Sequence, residues 1–80
     1  MTRIWHYAIV KHETDGEILY SVAEVYYLWS DKPNYWCDAS LTCMDSETDL
    51  KLEIVKIIDD LLEYPILSYP EDFEQKITAV

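Results

Sequence analysis

Two histidines and two cysteines are the residues of this chain best able to hold a metal, and their spacing decides whether they can. Structural zinc sites use close pairs, Cys-x2–4-Cys and His-x3–5-His. His6 and His12 fit that pattern formally, yet both fall in a segment that reads as a β-strand. A strand advances about 3.3 Å per residue, which would hold the two rings about 20 Å apart. Cys37 and Cys43 are separated in the same way, beyond disulfide reach. The expectation is no metal, no cofactor and two reduced thiols.

Nucleophilic catalysis needs Ser or Cys beside a base, with an oxyanion site. Ser21, Ser30, Ser40, Ser46 and Ser68 lie in no nucleophile elbow, and the chain has a single glycine. That glycine count excludes the phosphate-cradling loop, the dinucleotide fingerprint and the hydrolase elbow, each of which needs at least two. Glu24, set among tyrosines, has two readings. One is a buried acid with a raised pKa; the plainer one is a carboxylate bonded to a Tyr hydroxyl or lying at an interface. The second is preferred, and the chain is not expected to be an enzyme.

Sixteen acids against six bases give a formal charge of −10. Residues 1 to 44 carry six acids and three bases, whereas residues 45 to 80 carry ten and three, so the excess is C-terminal. Direct nucleic-acid binding needs Lys and Arg clusters that this chain lacks, and anionic membranes are disfavoured on the same ground. No run approaches the 20 or so apolar residues of a membrane span, and Met1-Thr2-Arg3-Ile4-Trp5-His6 lacks the long apolar stretch expected of a secretory signal. The expected setting is the cytoplasm of a bacterium or of a phage-infected host cell. The plain reading of this charge is solubility; the sharper one is a basic protein partner.

The elements that must position these residues are legible in the hydrophobic pattern. Residues 3 to 12 and 17 to 28 are rich in β-branched and aromatic side chains, and Asp15-Gly16 between them predicts a type I′ hairpin. A two-residue turn pairs Thr14 with Glu17, Ile9 with Val22 and Trp5 with Tyr26. One face then carries Trp5, Tyr7, Ile9, Tyr20, Val22, Glu24, Tyr26 and Leu28. The other carries Ile4, His6, Ala8, Val10, Leu19, Ala23, Val25 and Tyr27, a more aliphatic bed for a helix. Residues 30 to 34 read as a loop and 35 to 44 as a third strand. Leu50, Ile54, Ile57, Ile58 and Leu61 then recur at helical spacing, with Ser46 and Asp49 as a capping box and Pro65 as a stop. Glu47–Lys51 and Lys56–Asp60 are spaced to pair on an exposed face. One helix over 46 to 63 follows. Residues 66 to 77 read either as a short second helix opened by Pro70 or as a loose tail.

The fold class expected is therefore α+β: a three-stranded antiparallel meander followed by one amphipathic helix, with residues 1–67 as the domain and 68–80 as a tail or short helix. Two surfaces stand out. Trp5, Tyr7, Tyr20, Glu24 and Tyr26 form an aromatic sheet face, suited to an interface and to homodimerisation unless the tail folds back over it. Asp49, Glu53, Asp59, Asp60 and Glu63 form an acidic helix face, usually a solvated one, which on the sharper reading imitates DNA phosphates; Lys56 interrupts the row.

Trp5-His6-Tyr7, His12, Tyr20, Glu24-Val25-Tyr26-Tyr27, Pro33 with Trp36, Ser46 to Leu50 and Pro65-Ile66-Leu67 together resemble a group of short uncharacterised bacterial proteins. The resemblance covers residues 5 to 67, with Glu-Val-Tyr-Tyr its most distinctive part. It implies the same strand-strand-strand-helix order and no activity. The functional expectation is a non-catalytic protein-binding module, most concretely an acidic inhibitor of a basic nucleic-acid-binding protein, of DNA-mimic or phage anti-defence type. The alternative is a housekeeping bacterial protein that binds a small molecule or peptide strand on its aromatic face.

Overall fold

Asp15 and Gly16 both take positive φ, 53° and 81°, as the two central residues of a type I′ turn require. The turn closes a hairpin of two ten-residue strands, β1 (Trp5–Thr14) and β2 (Glu17–Tyr26). Its register is the one the turn dictates: Thr14 faces Glu17, Ile9 faces Val22 and Trp5 faces Tyr26. A computed structural model describes residues 4–28, 30–40 and 45–74. β3 (Tyr35–Asp38) pairs antiparallel with β2, shorter than the predicted 35 to 44; Cys43 lies outside the described residues.

Ser46 caps the helix by accepting a hydrogen bond from the Asp49 amide at 3.0 Å, and α1 runs Glu47–Glu63. Pro65 follows its end. The chain beyond it forms neither a helix nor a loose tail through residue 74. Leu67–Ser68 is a fourth strand, β4, parallel to β1 through Val10 and Lys11, which makes the sheet mixed, in the order β3-β2-β1-β4. A turn follows, held by the Asp72 carboxylate accepting from the Ser68 amide at 2.8 Å. Phe73 then drops onto the aliphatic face, where it forms the core with Ala8, Val10, Ala23 and Val25, flanked by Tyr27, Trp36 and Leu67.

That placement overturns the expected seat of the helix. Phe73 and its turn occupy the aliphatic bed, and among the strands α1 contacts β1 alone. β4 covers only the Val10–Lys11 stretch of the outer edge of β1, and the helix covers the edge near Tyr7, whose amide donates to Asp60 Oδ2 at 3.0 Å. An exposed sheet edge invites unwanted strand pairing, and the helix blocks it. The side of α1 turned inward carries Glu53, Ile57, Asp60 and, just past its end, Tyr64, whose ring stacks on His6 at 3.7 Å. At about 100° per residue this side lies about a quarter turn from the centre of the apolar stripe. Of the helix's seventeen residues only Ile57 and Asp60 are buried.

Candidate functional site

The alternation of β1 and β2 sets Trp5, Tyr7, Glu24 and Tyr26 on the aromatic face in two adjacent cross-strand rows, Trp5 with Tyr26 and Tyr7 with Glu24. The rings pack on one another. Trp5 meets Tyr7 edge-on at 5.1 Å and stacks on Tyr26 at 6.3 Å. Tyr35 extends the group by stacking on Tyr26 at 4.7 Å, a member the sequence reading missed. Finding it would have needed the β2–β3 register, which pairs Tyr26 with Tyr35. Tyr20 does not join. It lies two rows beyond Tyr7, about 13 Å along the strand, and is exposed.

Carboxylates finish the cluster. Tyr26 donates its hydroxyl to Glu24, and Tyr7 donates to Glu53 on the helix. The Lys56 ammonium stands 4.4 Å from the centroid of Trp5 and 5.9 Å from that of Tyr7, a cation–π contact that draws it away from the acidic row it was expected to interrupt. The plainer reading of Glu24, a carboxylate serving a Tyr hydroxyl, is the one the geometry displays.

These contacts raise the tyrosine pKa values. The hydrogen bond to Glu24, with some desolvation, pushes Tyr26 up to about 12. Burial first, then the Glu53 hydrogen bond and charge, move Tyr7 the same way. Burial also raises Tyr27. A phenol whose folded pKa lies above its unfolded value, near 10, stabilises the fold fully below that value. The contribution is lost as pH climbs through the folded pKa. Stability is therefore expected to fall above about pH 10. In an alkaline titration followed by phenolate absorbance, three of the seven tyrosines should ionise late, together with the loss of the circular dichroism signal of the fold. Absorbance from all seven rising near pH 10 with the fold intact would contradict the assigned hydrogen bonds.

The acidic helix face divides. Asp49, Asp59 and Glu63 are exposed, as predicted. Glu53 is half-buried against Tyr7, and Asp60 is buried at 5% exposure with its carboxylate on the Tyr7 amide. A stripe that faced the sheet would set both on the exposed row. The quarter-turn rotation brings them inward instead. The Glu47–Lys51 bridge forms at 2.8 Å between exposed side chains, whereas both members of the Lys56–Asp60 pair turn toward β1.

One further arrangement was not foreseen. His12 and Ser21 meet across β1 and β2, with Nε2 and Oγ 2.8 Å apart. The other ring nitrogen lies 3.0 Å from the Thr14 hydroxyl, so no carboxylate orients or charges the imidazole as a catalytic triad requires. His12 also packs against Trp36 at 4.9 Å. His6 is buried, its Nδ1 donating to the Tyr7 carbonyl and its Nε2 bonded to Tyr27. Desolvation, then the Glu24 and Asp38 carboxylates, push the Cys37 thiol above its ordinary range, which disfavours the reactive thiolate. An open cleft of about 280 Å³ between Lys11, His12, Ile18 and Tyr69 is smaller than most small-molecule sites. Among the described residues no group of three or more His, Cys, Asp or Glu could hold a metal ion, and no helix is long and apolar enough to cross a membrane. Comparison with protein-family models, with curated proteins and with solved structures finds no match for the chain.

Proposed function

We propose that this chain is a non-catalytic protein-binding module, and most concretely an acidic inhibitor that occupies the nucleic-acid site of a basic protein. The observation that carries the reading is the outer side of α1. Asp49, Asp59 and Glu63 are exposed there, along about 21 Å of helix, while Lys56 is drawn over Trp5 and Lys51 pairs with Glu47. With a chain charge of −10, this row presents negative potential to a basic groove.

The test uses the three exposed acids. Asp49→Asn, Asp59→Asn and Glu63→Gln together should weaken binding to a basic nucleic-acid-binding protein by at least about tenfold, with stability changed by about 0.5 kcal/mol or less. Duplex DNA should displace the wild type, and affinity should fall between about 50 and 200 mM salt, as for phosphate contacts. A triple variant that binds as tightly as wild type at low salt would remove the reading. The second reading, a housekeeping protein holding a peptide strand or small molecule, rests on the Trp5–Tyr26–Tyr35 stack beside Glu24 and on the outer position of β3 in the sheet. A saturable, salt-insensitive ligand lost in Tyr35→Ala would favour it.

A further inference from the structure

Tyr26 and Tyr35 are placed for a reaction that needs both of them. They lie directly opposite each other on β2 and β3, on the aromatic face of the sheet. Their rings stack at 4.7 Å with 7° between the planes. Among the ring contacts of the described residues, this is the one made between two phenols. The pair is open to solution, since Tyr35 is 45% exposed. Glu24, the next residue of β2 on the same face, accepts the Tyr26 hydroxyl. That bond pushes the Tyr26 pKa up to about 12, so the phenol keeps its proton at neutral pH until an electron leaves with it. The carboxylate is then the base already in place to take the proton.

We propose that Tyr26 and Tyr35 form an oxidative cross-linking site, at which a one-electron oxidant joins the two rings by a carbon–carbon bond. Each phenol gives one electron to the oxidant and loses its hydroxyl proton, that of Tyr26 to Glu24 and that of Tyr35 to water. The two phenoxyl radicals couple at ring carbons ortho to oxygen. The hydrogen on each of those carbons then moves to the oxygen of its own ring, which restores both hydroxyls and both aromatic systems. Two equivalents of oxidant take up two electrons, two protons are released, and the chain ends two hydrogens lighter.

Geometry selects this pair over the other tyrosines. Tyr7 also donates to a carboxylate, Glu53, but it is buried and its ring meets Trp5 rather than a phenol. Tyr27 bonds to the His6 imidazole and Tyr64 stacks on it, so each has that ring as its neighbour. Tyr69 packs edge-on to Trp36 and Phe73. Tyr20 is 62% exposed but stands apart from the stack. The bond would also tie down the sheet margin. β3 is four residues long and pairs with β2 alone, and a cross-link that closes a loop constrains the unfolded chain. Cross-linked protein should therefore melt at a higher temperature.

Photo-oxidation of the full chain with tris(bipyridine)ruthenium and persulfate supplies the one-electron oxidant. The expected product is a single chain two hydrogens lighter, with dityrosine fluorescence and a cross-link that peptide mass spectrometry maps to Tyr26 and Tyr35. Tyr35→Phe should abolish that cross-link, and Tyr20→Phe should leave it unchanged. Glu24→Gln should slow its formation by at least about tenfold, with the circular dichroism of the fold retained. Oxidation that falls on Tyr20 or Cys37 while Tyr26 and Tyr35 stay intact would overturn the proposal. So would a cross-link that forms as fast in Glu24→Gln as in wild type. None of these outcomes depends on whether the acidic row binds a basic protein.

Discussion

Phe73→Ala is expected to lower folding stability by about 3–5 kcal/mol, most of what an 80-residue domain possesses. The ring is 4% exposed, and it closes the aliphatic face over Ala8, Val10, Ala23 and Val25. Those four side chains are small, so they bury little area without an aromatic lid. On the sheet side the cavity left by alanine is lined by small residues that cannot fill it. Tyr69 and Trp36 would relax only partly, since they pack edge-on to each other at 6.0 Å and Tyr69 to Phe73 at 5.3 Å. Urea unfolding followed by tryptophan fluorescence measures the effect. A loss under about 1 kcal/mol would mean that residues 67 to 74 are an appendage to a core completed some other way.

Asp60→Ala comes next, at about 2–3 kcal/mol, because it removes a charged acceptor from the buried Tyr7 amide and leaves that donor without water. At 4–8 °C per kcal/mol for a domain of this size, the melting temperature should drop by about 10–20 °C. Asp59→Ala is the control. It removes the same chemistry one residue away, from an exposed position, and should change stability by about 0.5 kcal/mol or less. Asp60→Asn keeps an oxygen acceptor and should cost less than Asp60→Ala. Equal melting temperatures for the Asp59 and Asp60 alanine variants would refute the inward rotation of α1. They would also return Asp60 to the acidic row.

The contrast between those two neighbours shows how far the sequence reaches. The hairpin was legible because its determinants are local. Only a residue pair tolerant of positive φ suits the turn, and once Asp15 and Gly16 supply it, every cross-strand pair from Thr14–Glu17 to Trp5–Tyr26 follows by counting. The helix start was legible for the same reason, since Ser46 and the Asp49 amide lie within one turn. Trp5, Tyr7, Glu24 and Tyr26 could therefore be grouped on one face from the sequence alone.

The sequence by itself determined the β1–β2 register, the helix and the alternation that sets Trp5, Tyr7, Glu24 and Tyr26 on one face. Only the tertiary structure decided what covers those faces. Periodicity says that Leu50, Ile54 and Ile58 share a side of α1, but not which of several apolar surfaces meets it. Phe73, fifteen residues beyond Ile58, competes for the aliphatic face and wins it, and β4 claims part of the outer edge of β1. The unpaired amide of Tyr7 on the rest of that edge then needs an acceptor, and Asp60 meets it by turning the helix. These are contests between segments distant in the chain, settled by burial and hydrogen-bond satisfaction together. No local window of residues contains their outcome.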